Sequence, residues 1–171
     1  MSQAGLGERV QLPFVHIAGQ GSAAPVAAAC IHHLVAAQAA RTPQAVAVAD
    51  PWRALSYAEL EERAGRVARR LRARGVGPES LVGICMDRSV GMVAAMLGVL
   101  RAGAAYVPLD PAYPADRIEY VLRDAGVRVV LTESALRGIL PDTGAELLLA
   151  DVDADPAGEG EPLPAAGVDV D

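Results

Sequence analysis

Short apolar runs that alternate with helical segments are the feature that most limits the fold of this chain. Leu81–Met86, Ala104–Leu109 and Val127–Leu131 are each apolar enough for a strand that is buried on both faces. The longer segments between them carry apolar residues at helical spacing. Strands and helices in this order form right-handed βαβ units. The sequence therefore predicts an α/β fold with a mostly parallel sheet that helices cover on both faces.

Two of the predicted helices have clear signatures. Ser56 and Glu59 form an S-x-x-E capping box, which predicts that a helix begins here. The glycines and proline within residues 75–78 end that helix. Its predicted buried face consists of Leu60, Ala64, Val67, Ala68 and Leu71. The segment Ser89–Arg101 is apolar almost all round, so we predict a helix that is buried on most sides.

Composition restricts the partners of the chain. Its 171 residues are 52% hydrophobic, which is enough for one domain with a sizeable core. All 15 basic residues are arginines, and the formal net charge of −6 argues against general binding to nucleic acid or anionic lipid. No clean apolar run reaches the roughly 18 residues that a membrane span needs. We therefore predict no nucleic-acid partner, no membrane partner and a cytoplasmic location.

The chain divides into three parts by composition. We predict a tail or linker over residues 1–29, a folded part over residues 30–150, and a disordered tail rich in Asp, Glu, Gly and Pro over residues 151–171. Cys30 and Cys85 lie far apart in apolar surroundings and form no CxxC motif. We predict that both are buried thiols of a reducing cytoplasm rather than a disulfide.

Two candidate binding motifs have structural explanations. The arginines from Arg63 to Arg74 are predicted to be a solvated helix face rather than an RNA-binding stripe, because glutamates accompany them and aromatic residues do not. Gly75-Val76-Gly77 follows a predicted helix, whereas a dinucleotide-binding fingerprint follows a strand. We therefore predict that these glycines form a helix C-cap.

Two further candidates involve chemically active side chains. Cys30 and His32, with His33, contain metal-ligand atoms, but residues two apart on a helix point to nearly opposite sides. Asp110 and Asp116 flank a Pro-rich loop at the carboxyl end of a predicted strand, where open α/β sheets bind ligands. We predict instead that Asp110 caps a turn and that Asp116 lies in a helix first turn. No catalytic, cofactor-binding or metal-binding residue is assigned.

The stretch Leu100–Pro114, LRAGAAYVPLDPAYP, closely resembles a motif of the amino-acid adenylation domains of nonribosomal peptide synthetases, in the acyl-adenylate-forming or AMP-binding superfamily. Leu55–Leu60, LSYAEL, resembles the first core motif of that family, and Met86–Leu100 resembles the helix between the two motifs. Gly21–Val35 resembles the linker that follows a condensation domain. The motif side chains that suit a hydrophobic core are Leu55, Leu60, Val107 and Leu109.

The resemblance implies the chemistry of a ligase. The family joins an amino acid to ATP as aminoacyl-AMP, releases pyrophosphate, and passes the acyl group to a phosphopantetheine thiol on a carrier domain. ATP and Mg²⁺ are expected for the complete domain, which uses a phosphate-binding loop and a lysine. This sequence contains neither that loop nor a lysine. The resemblance therefore implies the N-terminal part of an adenylation domain, which is not catalytic alone and whose partners are the rest of that domain or a carrier domain.

Two other functions are compatible with the sequence. The chain could be the complementation half of a split adenylation enzyme, whose remaining part a separate gene encodes. It could also be a small α/β ligand-binding module, a hypothesis that rests on the position of the Asp110 loop. The coding sequence directly downstream distinguishes the first alternative, and thermal shifts with ATP and amino acids test the second.

We predict that the purified 171-residue chain supports no amino-acid-dependent exchange between ATP and pyrophosphate. The reason is that its sequence lacks the phosphate-binding loop and every lysine, and loss of a single well-placed electrostatic donor typically lowers a rate by about 10²–10³. Exchange above a no-protein control with any proteinogenic amino acid would refute the prediction.

Overall fold

The computed structural model of the protein describes residues 30–151. Its elements, in chain order, are α1 (Ile31–Arg41), β1 (Val46–Ala49), β2 (Ala54–Ser56), α2 (Tyr57–Arg72), β3 (Leu81–Cys85), α3 (Val90–Arg101), β4 (Ala105–Pro108), α4 (Ala115–Asp124), β5 (Val129–Thr132), a 3₁₀ helix (Ser134–Ile139) and β6 (Glu146–Leu149). The tails predicted at residues 1–29 and after Asp151 lie outside the described residues. None of the helices between residues 30 and 151 is long and apolar enough to cross a membrane.

The main sheet has four parallel strands in the order β4-β3-β5-β6. This arrangement confirms the predicted α/β fold. A separate antiparallel hairpin pairs β1 with β2. The short apolar run Ala45–Ala49 predicts a strand and corresponds to β1, whereas the sequence gives no sign of β2, because a strand of three residues is too short to show a period.

Helices cover both faces of the parallel sheet. On one face, α2 and α3 pack over a core that includes Leu71, Ile84, Val99 and Leu131. On the other face, α4 contributes Ile118 and Leu122 to a second core. All five side chains predicted for the apolar face of α2 are buried. No residue of α3 is exposed, so its apolar sequence matches burial on most sides.

The beginning of α2 confirms the predicted capping box. Ser56 Oγ accepts a hydrogen bond from the backbone N–H of Glu59 at 3.3 Å, and Glu59 Oε2 accepts one from the N–H of Ser56 at 2.8 Å. Two otherwise unpaired N–H groups at the helix start are thereby satisfied. The box fixes the point at which the chain leaves β2 and enters the helical layer.

The absence of a side chain at Gly98 of α3 sets the distance between α2 and α3. A Cβ atom added at Gly98 would lie 2.5 Å from Val67 Cβ and 3.0 Å from the carbonyl oxygen of Ala64, both on α2. Carbon atoms do not approach so closely without displacement of one partner. The two helices therefore pack at a separation that only glycine permits at position 98.

Several arginines of α2 bind neighbouring elements, which corrects the prediction of a purely solvated face. Arg70 donates to the carbonyl oxygen of Leu149 in β6 at 2.8 Å, and Arg72 donates to the carbonyl oxygen at the end of α3 at 2.6 Å. Arg74, just past the helix, forms an ion pair with Glu146 at 2.7 Å. Helical spacing placed these side chains on the polar face of α2, but their partners are 29 to 79 residues away along the chain.

Asp50 joins the hairpin to α3. Its Oδ1 accepts hydrogen bonds from the N–H groups of Trp52 and Arg53, each at 2.9 Å, and its Oδ2 accepts one from Val90 at 3.1 Å. These hydrogen bonds, that of Val90 most of all, hold the pKa of the Asp50 carboxyl below its ordinary value. One carboxylate thus closes the β1–β2 turn and caps the first residue of α3.

We predict that Gly98→Ala destabilises the protein by about 1–3 kcal/mol, because the added methyl group enters occupied space. The loss should appear despite the higher helix propensity of alanine. Chemical denaturation measures it. The matched control is Gly77→Ala, where an added Cβ meets no atom within 4 Å.

The close contact at Gly98 also predicts a partial rescue. In the double variant Val67→Gly/Gly98→Ala, the side chain on α2 that meets the new methyl group is absent. The loss in free energy of unfolding of this double variant should therefore be smaller than the sum of the losses of the two single variants. Additive losses in the double variant would contradict a direct contact between these positions.

We predict that Asp50→Asn lowers the melting temperature at neutral pH, because one amide oxygen cannot accept hydrogen bonds on both sides of the turn. Since the folded pKa of Asp50 is lowered, its contribution is present above about pH 3.9 and is lost as the pH falls through the folded value. The difference between the proteins should therefore shrink in acid. Thermal melts across this range measure it, with the exposed Asp124→Asn as control, and a gap that stays constant with pH would contradict the assignment.

Candidate functional site

An acidic residue follows each parallel strand of the main sheet. Asp87 comes after β3, Asp110 after β4, Glu133 after β5 and Asp151 after β6. Parallel strands end at the same edge, and open α/β sheets bind ligands in the crevice beyond the carboxyl ends of their strands. This carboxyl edge is therefore the candidate site, and Asp110 is the member that the sequence already singled out.

The two aspartates considered from the sequence have local structural roles. Asp110 Oδ1 accepts the N–H of Ala112 at 2.9 Å, and the Asp110 carbonyl accepts the N–H of Tyr113 at 3.0 Å, so this residue caps a turn as predicted. Asp116 lies in the first turn of α4, also as predicted, and accepts the N–H of Arg117 at 3.0 Å. Their carboxylates are positioned by the backbone beside them.

Glu133 is the electrostatically unusual residue of the carboxyl edge. Partial burial raises the pKa of Glu133 above its ordinary value, and the carboxylates of Asp87 and Asp151 add to the rise. A hydrogen bond from the Asp87 backbone and the charge of Arg53 act in the opposite direction. Asp151 is itself held by the N–H of Ser134, at 3.1 Å to each oxygen. Carboxylates at two other strand ends thus act on Glu133.

Cys85 is the last residue of β3, so its thiol is the nucleophilic group of that strand closest to the carboxyl edge. It is fully buried, as predicted. Burial first, and then the charges of Asp110 and Asp87, raise the pKa of Cys85 to about 11. The group is therefore a protonated thiol at neutral pH and lacks the thiolate that nucleophilic chemistry requires.

The structure brings Cys30, His32 and His33 together, contrary to the expectation from helical geometry. One ligand atom from each residue lies within 4.8 Å of the others. The expectation required a helical Cys30, but this residue is the N-cap of α1 and has extended dihedral angles, φ −63° and ψ 144°. Cys30 is also only partly buried, so the prediction of a buried thiol holds for Cys85 alone.

His32 is electrostatically shifted. Burial, followed by the charges of His33 and Arg101, lowers the pKa of His32, which keeps its imidazole neutral near pH 7.

The glycine pair after α2 is a helix end, as predicted. Gly75 has a φ of 74°, in the left-handed region that favours glycine.

The sequence did not predict that Asp87, Arg53, Glu133 and Asp151 are neighbours at one edge. The available signal was the acidic residue that follows every apolar strand, and it becomes interpretable only when the strands are known to be parallel.

The sequence is similar to large peptide synthetases. It is 48% identical over 128 residues to tyrocidine synthase 3 of Brevibacillus parabrevis, a match that covers 75% of this chain and 2% of that protein. It is 48% identical over 141 residues to the AMB antimetabolite synthetase AmbB of Pseudomonas aeruginosa, covering 82% of this chain and 11% of that protein. The chain thus spans a small part of the length of these relatives.

The fold is similar to solved structures of the same class. The nonribosomal peptide synthetase FmoA3, in its AMPPNP-bound form, superposes with a TM-score of 0.76 and 41% identity over 85% of this chain and 16% of that one. The family model described as AMP-binding enzyme matches residues 35–171. The chain therefore belongs to the AMP-binding enzyme family, and within it is similar to the adenylation domains of nonribosomal peptide synthetases.

Proposed function

We propose that this chain forms the N-terminal scaffold of an amino-acid adenylation domain. The complete domain converts an amino acid and ATP to aminoacyl-AMP and pyrophosphate, and then transfers the acyl group to a carrier-domain thiol. The observation that supports this function most strongly is the match to the AMP-binding enzyme family over residues 35–171, together with relatives that are peptide synthetases.

The positions of the two sequence motifs support a scaffolding role. The segment Leu55–Leu60 spans the passage from β2 into α2, and both of its leucines are buried. The segment Leu100–Asp110 contains the end of α3, the turn at Gly103 with a φ of 88°, and β4. Leu109 is buried and Val107 is partly buried against the same core. The motif residues therefore connect the helical layer to the sheet.

The described residues do not fit a site for the triphosphate of ATP. The carboxyl edge presents Asp87, Asp110, Glu133 and Asp151, whose negative charge repels phosphate, and Arg53 is a countercharge for Glu133 there. The FmoA3 structure contains AMPPNP, an ATP analogue, in a chain of which this one covers 16%. We propose that residues outside 30–151 supply the nucleotide contacts, and no chemical step is assigned to the residues described.

Each part of the chain has a place in this proposed function. We propose that residues 1–29 are a tail or linker, that residues 30–150 form the N-terminal part of the adenylation domain, and that residues 151–171 are a tail. The partners are the remainder of the adenylation domain and a carrier domain, and the location is cytoplasmic. A small ligand-binding module is not favoured, because the family match covers most of the chain.

A chimera tests the scaffolding function. Residues 35–150 of this chain replace the corresponding segment of FmoA3, and amino-acid-dependent ATP–pyrophosphate exchange is measured. We expect the chimera to retain exchange, because 41% identity and a shared fold preserve the core contacts.

The chimera needs two matched variants. Gly98→Leu should abolish exchange and cooperative unfolding together, because its side chain meets Val67 and Ala64, whereas Gly77→Ala should change neither. A chimera that unfolds cooperatively at the temperature of the parent enzyme but shows no exchange would contradict the proposal.

A further inference from the structure

The beginning of α1 gathers three metal-ligand side chains. Cys30 is the N-cap, and its carbonyl oxygen accepts the N–H groups of His33 at 2.9 Å and Leu34 at 3.2 Å. Its side chain forms no capping hydrogen bond, so Sγ is not used in helix formation. The imidazole rings of His32 and His33 lie with their centroids 4.2 Å apart at an angle of 59°. One sulfur and two nitrogen donors thus lie within 4.8 Å of one another.

His32 is the member that most requires a ligand. It is only 7% exposed, yet among residues 30–151 neither Nδ1 nor Nε2 has a hydrogen-bond partner. Buried imidazole nitrogens are ordinarily paired with protein groups or ordered water. A metal ion that accepts a lone pair from one ring nitrogen would remove this deficit.

The donor set selects the class of metal. A thiolate with two imidazoles suits a borderline or soft cation and does not suit Mg²⁺ or Ca²⁺, which bind oxygen ligands. Zinc bonds of about 2.3 Å to sulfur and about 2.0–2.1 Å to nitrogen place tetrahedral ligand atoms about 3.3–3.6 Å apart. The three atoms therefore need to approach one another by no more than about 1.5 Å, a movement that rotation of an exposed His33 and a partly buried Cys30 provides.

We propose that Cys30 Sγ and one imidazole nitrogen each from His32 and His33 bind a Zn²⁺ ion, with the fourth coordination position open. A cavity of about 570 Å³ lies beside the cluster, and Cys30, Ile31 and His32 form part of its wall. Glu79, Leu100 and Gly103 also line it. Water in this cavity would complete the tetrahedron, as in zinc sites that have three protein ligands.

Cobalt substitution tests the site on the reduced 171-residue chain. A Co²⁺–thiolate bond produces near-ultraviolet charge-transfer absorption, and tetrahedral Co²⁺ produces strong visible bands. We expect one equivalent of Co²⁺ to produce both signals, and one equivalent of Zn²⁺ to remove them by displacement. Zn²⁺ should also raise the melting temperature, because it binds the folded chain in preference to the unfolded one.

Single variants identify the ligands without loss of the fold. Cys30→Ser should remove the charge-transfer band while it keeps or improves the helix start, because serine is a favoured N-cap. His33→Ala changes an exposed residue and should weaken Co²⁺ binding by at least about tenfold. The matched control is Cys85→Ala, which removes the other thiol of the chain and should leave the spectrum unchanged.

Three results would overturn the proposal. One is the absence of a charge-transfer band with excess Co²⁺ on a folded, reduced chain. Another is a band that survives in Cys30→Ser or disappears in Cys85→Ala. The third is a Zn²⁺-induced rise in melting temperature that is equal in the wild type and in His33→Ala.

Discussion

Helix α2 packs so closely against α3 at Gly98 that a Cβ atom at this position would lie 2.5 Å from Val67 Cβ. These two helices line two cores at once. Leu60 of α2 and Leu97 of α3 pack in a cluster with the β1–β2 hairpin, whereas Leu71 of α2 and Val99 of α3 pack on the parallel sheet. A wider separation of the helices would therefore open both cores. Even a single added methyl group at position 98 would thus disturb the packing of both.

Arginine side chains hold this helix pair from the outside. Arg72 of α2 donates to the carbonyl oxygen of Arg101 at the end of α3, where a helix leaves carbonyl groups unpaired. In return, Arg101 of α3 donates to the carbonyl oxygen and the carboxylate of Glu61 on α2. A guanidinium group carries several donors in a fixed plane and can serve two acceptors at once. In a chain without lysine, the polar face of α2 thus reinforces the same contact that its apolar face creates.

The sequence predicts those parts of the structure that are encoded locally. Apolar periodicity identified α2, a nearly continuous apolar segment identified α3, and the capping box placed the beginning of α2 at Ser56, because each signal lies within a few neighbouring residues. The hydrogen bonds of Asp50 to Val90 and of Arg70 to Leu149 were not predictable, because their partners are distant in the chain and become neighbours only in the folded sheet. The acidic carboxyl edge was missed for the same reason. The prediction that Cys30 and His32 point to opposite sides was wrong for a different reason. Cys30 precedes α1 and has extended dihedral angles, so helical geometry does not apply to it.

The chemistry at the start of α1 follows from how weakly the local sequence supports that helix. A serine or aspartate N-cap contributes about 1 kcal/mol to a helix, and Cys30 supplies no such side-chain hydrogen bond. Ile31 is 65% exposed and Leu34 is 47% exposed, so these two apolar residues add little burial energy. Packing of His32 and Val35 against the rest of the protein holds α1 in place, yet both ring nitrogens of His32 lack a hydrogen-bond partner within the described part of the chain. A metal ion across Cys30, His32 and His33 would supply the missing link between the extended residue and the first turn, and it would also satisfy the buried imidazole.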